Sequence, residues 1–468
     1  MNLLGLFFSF IILLMFLCSV NIERNIFNPV SIFTFLFFLI FMLPSLNLYG
    51  WVPVDDRIYL ICFIGVLCFV VGGFAAKSVA FKKGNSTYTL PMQKHSIELR
   101  SRPMNVRTYL YYLILVAVIS YQIIYSMRVI RMLSRGFGLG AIRYAASLDY
   151  ALENGFNQLT PSRLDSIINR RIIKPCVNFL IPLLIVRSFD ETGRINKKNL
   201  VLMIVLSGLE TFRTGGRITL VICVMQFFTY FLFLRKTIHL SKKMKRRILR
   251  VIVILGISIV FFTFMRKGAS SLSFIFKEFY VYYGGALPNF SLRCEELFRA
   301  PRTLGFALLN PFFEILIRIF KTVFGMKEPE LFIQATSIIS TLQTKVQVSK
   351  DQTFNAFVTL FYYFYSDFGI IGVIILSFAY GFFCGYIYKK MKQKRDILYS
   401  VLYLWLVNGI IYSMVRWQFY SSSYAYVVFV GVILFTRKRQ ISFVWTKSPR
   451  ADKMMETKSH LSQGKVSS

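Results

Sequence analysis

The chain carries eleven apolar runs, most of them long enough to be a membrane helix, separated by breaks that carry most of its charge. The runs fall at 3–20, 30–48, 58–76, 109–126, 172–189, 200–212, 218–234, 248–265, 369–388, 398–415 and 423–436. A hydrocarbon core about 30 Å thick takes about 20 apolar residues as a helix, because only helices and closed barrels satisfy the backbone there. Runs 200–212 and 423–436 are short for that span, so one of them is expected to be broken or re-entrant. The expected fold class is an all-α polytopic membrane protein with about 11 transmembrane helices. Only 16% of the residues are charged, against about a quarter in soluble domains. The first run lacks a basic leader and a small-residue cleavage site, so it reads as a retained span.

A net charge of +35 would ordinarily point to nucleic acid. Here the Lys and Arg sit in clusters between apolar runs, which is the pattern of the positive-inside rule. No nucleic-acid partner is expected; membrane lipids are. Lys82, Lys83, Lys94, Arg100 and Arg102 mark one cytoplasmic loop, and Lys242, Lys243, Lys245 and Arg246 another. Alternating from these puts the N-terminus outside and the C-terminus inside. The expected organisation is eight spans over 1–265 with an external loop at 127–171, then a large external loop at 266–366. Three spans over 367–436 and a basic cytoplasmic tail at 437–468 follow. Within the large loop, 306–324 is apolar on one face, with Glu314, Arg318 and Lys321 recurring on the other. That spacing predicts an amphipathic helix in the plane of the interface. The seven cysteines form no CxxC motif and read as small apolar residues.

This orientation leaves many arginines outside, against the usual bias. Arg128, Arg131, Arg135, Arg143, Arg163, Arg170 and Arg171 crowd the first external loop. Arg213 and Arg217 flank the Gly215-Gly216 turn, and Arg266 and Arg416 stand at span ends. Two readings compete: pairing with lipid phosphates, or an anionic ligand at the outer face. For Arg213, Arg217 and Arg416 the ligand is favoured, since charge at a span end is costly. Backbone N–H groups of the Gly-Gly turn and the helix opening at Ile218 would add to such a site. Glu210 and Asp367 stand in or at the mouth of apolar runs, either as arginine partners or as general bases. The three histidines, His95, His239 and His460, fall on the cytoplasmic side, so no metal site and no histidine base is expected outside.

Three segments resemble a known family: 206–219 (LSGLETFRTGGRIT), 278–295 (EFYVYYGGALPNFSLRCE) and 355–388 (NAFVTLFYYFYSDFGIIGVIILSFAYGFFCGYIY). An Arg before a mid-chain span, a large external loop in the second half and Asp367-Phe368-Gly369-Ile370-Ile371-Gly372 opening a glycine-bearing span resemble the Wzy-type O-antigen polymerases. The resemblance implies a metal-independent, cofactor-free glycosyltransferase similar to the lipid-dependent GT-C type. It would sit in the bacterial inner (cytoplasmic) membrane and join oligosaccharide repeat units carried on undecaprenyl diphosphate, with a chain-length regulator as partner. By resemblance, Arg213, Arg217, Asp367 and Glu210 are catalytic, and Arg143, Arg266 and Arg416 bind the diphosphate. A lipid-linked oligosaccharide flippase and an O-antigen ligase are the alternatives. A flippase should show two similar halves, and none is evident. The ligase is expected to use an external histidine, which this chain lacks.

Overall fold

The computed structural model describes residues 2–78, 105–138, 162–189, 195–216, 218–237, 272–350, 352–355, 357–394 and 396–436, with isolated positions at 246, 250, 253 and 257. Five helices among them are long and apolar enough to cross a membrane: α1 (Leu3–Glu23), α2 (Pro29–Leu46), α3 (Asp56–Ser78), α4 (Thr108–Ser134) and the long helix Thr359–Lys394. Shorter helices fill the remaining runs. They are α5 (Arg163–Ile168), a π turn (Asn169–Ile173), α6 (Lys174–Arg187), α7 (Lys197–Thr214) and α8 (Ile218–Thr237). The chain is an all-α membrane protein. Its surface carries the matching signature: Phe7, Phe10, Leu14 and Leu17 of α1 are exposed while Gly5, Phe8, Ser9 and Ile12 turn inward. Run 248–265 lies almost wholly outside the described residues.

Region 266–366 is built, not a bare loop. It contributes α9 (Leu272–Gly284), α10 (Ala286–Leu292), α11 (Cys294–Arg299), α12 (Asn310–Phe324) and α13 (Glu330–Thr341). A hairpin of β2 (Val346–Ser349) and β3 (Gln352–Phe354) closes it. The helix expected over 306–324 begins four residues late, at Asn310, because 303–309 is drawn into turns. Its N-terminus has Pro311 in the first turn, where a missing N–H costs nothing. Leu316, Ile319, Phe320, Val323 and Phe324 form its exposed apolar row. Cys294, placed by sequence in a polar segment, is buried.

The long helix, α14 (Thr359–Lys394), starts ten residues before the expected span at 369. It breaks at Phe368 and Gly369, where Gly369 holds φ 64° and ψ −149°, a backbone conformation that a side chain would strain. The break aims Asp367 sideways. Beyond it, α14 packs along α3 more closely than any other helix pair. A Cβ at Gly381 would collide with the carbonyl oxygen of Phe69, and one at Gly72 with that of Phe378. Small residues that let backbones touch are how membrane helices associate without a hydrophobic drive.

After α14 come α15 (Ile397–Tyr412), a 3₁₀ turn (Gln418–Tyr420), α16 (Ser422–Ala425) and α17 (Val427–Leu434). The last expected span is therefore broken, at Tyr426. β1 (Asn105–Val106) pairs with β4 (Phe435–Thr436), tying the entry of α4 to the exit of α17. At the centre is α6, nearly all of whose residues are buried against α7, α8, α15, α16 and α17. Its central place puts its first residue, Lys174, inside the bundle's polar end.

Replacing Gly381 by Leu is expected to force α3 and α14 apart and lower the unfolding temperature in detergent. Gly208, which has nothing within 4 Å of its would-be Cβ, serves as control. Gly208→Ala should hold or raise that temperature, since Ala favours a helix over Gly by about 1 kcal/mol.

Candidate functional site

The site begins on one face of α7. Met203, Leu206, Ser207, Glu210, Thr211 and Arg213 are its buried residues, recurring every three or four positions. The apolar upper turns seat the face in the core. That seating carries Glu210 and Arg213 inward with it, three residues apart and on the same side. The Arg213 guanidinium donates to both carboxylate oxygens of Glu210, from Nη2 at 2.7 and 2.8 Å and from Nε at 3.1 Å. Both side chains are only 6–7% exposed. Gln122 reaches across from α4 and donates Nε2 to Glu210 Oε2 at 2.5 Å. Thr214 donates to the carbonyl of Glu210 at 2.8 Å, and the helix ends at Gly215.

Beside this pair lies a cavity of about 330 Å³. Its charged lining residues are Glu210, Lys174 and Arg416. Lys174 lies within electrostatic reach of Glu210, Arg213, Arg416 and Arg170, so cations outnumber carboxylates around the cavity. No carboxylate among the described residues lies within ion-pair distance of Lys174 or Arg416. Gly216, Ile218 and Thr219 line the same space, which sets the N-terminus of the 20-residue helix α8 against it. A helix N-terminus carries about half a positive charge and unpaired N–H groups. Further polar lining comes from Asn178, Gln226, Asn408 and Gln418, with the hydroxyls of Thr214, Tyr412 and Ser423. Gln226 Oε1, Asn408 Oδ1, Gln418 Nε2 and Arg416 Nε are buried without a hydrogen-bond partner. Such atoms are costly in an apolar surround and mark the cavity as a place for a polar, hydrogen-bonding guest.

Of the residues expected from sequence, Glu210, Arg213 and Arg416 come together here. Asp367 does not. Fully buried in the break of α14, it accepts from the Thr303 hydroxyl at 2.5 Å and from the backbone N–H groups of Ala307 at 3.1 Å and Leu308 at 2.7 Å. Its carboxylate clamps the 303–308 turns. Trp417 holds the other side, donating Nε1 to the Leu308 carbonyl at 2.9 Å. Asp367 thus supports the turns packed beside Arg416 and lines no part of the cavity. Arg143, Arg217 and Arg266 lie outside the described residues.

Several groups of the site escaped the sequence reading, chiefly the lining residues Lys174, Gln226 and Asn408 and the Glu210 partner Gln122. A signal existed for each, because all four stand inside apolar runs, where a polar side chain needs a reason. Arg170 and Arg171 sit on the π turn directly before Lys174. Arg171 pairs with Glu314 of α12 at 2.5 Å, linking the exposed amphipathic helix to the segment that carries Lys174.

Compared with known proteins, the chain matches no family model, no curated protein and no solved structure. The geometry of this cavity therefore carries the functional argument alone. Chemically, it offers an anion two cations without an ion-pair partner among the described residues, a helix N-terminus and a fixed carboxylate.

Removing one member of a buried pair leaves the other charge unpaired, at a cost of about 3–5 kcal/mol. Glu210→Gln and Arg213→Met are each expected to lower the unfolding temperature strongly. The double variant should recover most of the loss, as read by a double-mutant cycle in detergent.

Proposed function

We propose that the chain is an integral-membrane glycosyltransferase that polymerises oligosaccharide repeat units carried on a lipid diphosphate. The observation that carries this reading is the excess of cations around one carboxylate in a polar cavity inside an apolar helical bundle. A diphosphate leaving group needs its developing charge stabilised where it forms, and preorganised cations do this most strongly in a dry site. Arginine and lysine differ usefully here. Arg416 offers a forked set of donors suited to phosphate oxygens, and Lys174 a point charge. The N-terminal N–H groups of α8 add directional donors.

In this account the growing chain sits with its anomeric carbon above the cavity and its diphosphate within reach of Lys174 and Arg416. A hydroxyl of the incoming unit attacks the anomeric carbon and forms the new glycosidic bond. The bond from that carbon to the diphosphate oxygen breaks, and the electron pair leaves with the lipid diphosphate. The hydroxyl proton passes to the Glu210 carboxylate. Arg213 and Gln122 hold Glu210 in place, so they are positioning residues. Asp367 lines no part of the cavity and takes no part in proton transfer. The polymer made is an O-antigen or a related surface polysaccharide, and the membrane is the bacterial inner membrane with the cavity toward its outer face. The resemblance to the Wzy-type polymerases and the alternation of loop charge support both assignments. In the same orientation α12 lies in the outer interface, its exposed apolar row dipping among acyl chains.

One observation favours a transporter instead: Gln226 and Asn408 carry polar lining deep between helices, as along a translocation path. Purified protein in liposomes separates the two. Given lipid-diphosphate-linked repeat units and no nucleotide, it should produce a ladder of longer products. Movement of the units across the bilayer without chain growth would point to a flippase. Arg416→Ala and Lys174→Ala are each expected to cut chain growth by about 100-fold at unchanged protein level. A nitroxide attached at Phe320→Cys in nanodiscs should be accessible to oxygen and shielded from a water-soluble relaxant. The reverse would lift α12 off the bilayer.

A further inference from the structure

The lining of the Glu210 cavity changes character with depth. At the end where α8 begins it carries donors: Lys174, Arg416, Gln418 Nε2 and the first N–H groups of α8. Further in it carries acceptors. Gln226 stands eight residues into α8, about 12 Å below its N-terminus at the helical rise. Asn408 stands one turn before the end of α15. The two residues are 1% and 5% exposed. Gln226 Nε2 donates to the Leu404 carbonyl at 2.8 Å, which fixes the amide, and its Oε1 has no hydrogen-bond partner. Leu404 and Asn408 are one turn apart on α15, so the second amide lies on the same helix face. Its Oδ1 is unpartnered too.

Glu210 supplies a third acceptor. Its Oε2 takes three donated hydrogen bonds, one from Gln122 and two from Arg213, while Oε1 takes one, from Arg213. A carboxylate oxygen can accept about two, so Oε1 keeps room for a further donor. These oxygens do not suit a phosphate, whose own oxygens are negative acceptors. They suit a neutral guest that donates, and a hydroxyl does so. The cavity also ends at this level. Among the described residues, its lining reaches no further along α8 than Gln226 and no further along α6 than Pro182. Phe227, Leu183 and Leu184, the next residues, are fully buried. A translocation path would continue past them, whereas a binding floor stops here. At about 330 Å³ the space is at the small end for ligand sites, which run from about 300 to 1,000 Å³.

We propose that the inner half of this cavity is an acceptor subsite that takes the terminal sugar ring of the incoming unit. One ring hydroxyl donates to Gln226 Oε1, a second to Asn408 Oδ1, and the attacking hydroxyl to Glu210 Oε1, which receives its proton. The subsite's place in the reaction rests on the polymerase reading; its ligand class rests on the orphaned oxygens. Val177, Ile181 and Ile222 offer apolar wall to the C–H faces of the ring. Gln226 and Asn408 are then specificity-determining residues. A sugar without a hydroxyl at either point leaves a buried oxygen unpaired, and a site built to hydrogen-bond its substrate rejects such an analogue.

Saturation-transfer NMR on the full chain in neutral detergent provides the test. The probes are the methyl glycosides of glucose, galactose, mannose and N-acetylglucosamine. At least one should bind, and millimolar inorganic phosphate should not displace it. Asn408→Leu removes an orphaned oxygen, so it should keep the parent's unfolding temperature while weakening that glycoside about tenfold. Gln226→Met should weaken it by a similar factor. Binding by none of the four, displacement by phosphate, or unchanged binding in both variants would each overturn the subsite. The liposome assay separates this failure from that of the reaction. Asn408-dependent glycoside binding without a ladder of products would keep the sugar site and overturn polymerisation. A ladder with glycoside binding indifferent to both substitutions would do the reverse.

Discussion

A carboxylate and a guanidinium lie side by side among apolar helices, and the organisation of the polar end of this molecule follows from them. Neither Glu210 nor Arg213 could be buried alone, because an isolated charge in a low-dielectric interior costs far more than any packing gain. Together they are tolerated, and the bidentate contact fixes both rotamers. Gln122 completes the arrangement by tying α4 to α7. Having cancelled one positive charge, the pair leaves Lys174 and Arg416 as the net charge of the cavity. Among the described residues these two cations have no ion-pair partner, and they stand next to a neutral anchor.

The rest of the fold serves to bring these groups together from distant parts of the chain. Close backbone contact between α3 and α14 fixes the direction of α14, and the break at Gly369 turns Asp367 toward the 303–308 turns. Asp367 and Trp417 grip those turns from two sides, which sets the segment after α15 that bears Arg416 and Gln418. On the other flank, Arg171 and Glu314 tie the π turn before Lys174 to α12. Each cation of the cavity is therefore held through a contact to the region between α8 and α14. That large insertion supports the site structurally, whatever it also binds.

Much of this was legible in sequence for a simple reason. Apolar runs in a membrane protein leave little choice but helix, and 58–76 became Asp56–Ser78 with only its ends extended. Glu210, Arg213 and Arg416 were also readable, since charge in an apolar run demands a partner or a purpose. Partners far apart in the chain were not readable. At the mouth of a span, Asp367 read as either an arginine partner or a base. Its true neighbours, Thr303, Ala307 and Leu308, lie some sixty positions away, and the last two use backbone N–H groups that no side-chain pattern announces. Lys174 was overlooked because it opens a run of apolar residues and resembles an ordinary flanking lysine. Only the central position of α6 turns it inward.

The account stands or falls on where a lipid diphosphate binds. A photoreactive analogue of undecaprenyl diphosphate, with its reactive group next to the diphosphate, can be crosslinked to the purified chain and mapped by mass spectrometry. The account predicts adducts on the residues around Lys174, on 216–226 and on 408–418, all suppressed in Arg416→Ala. Adducts confined to other surfaces, or unchanged by that substitution, would contradict it.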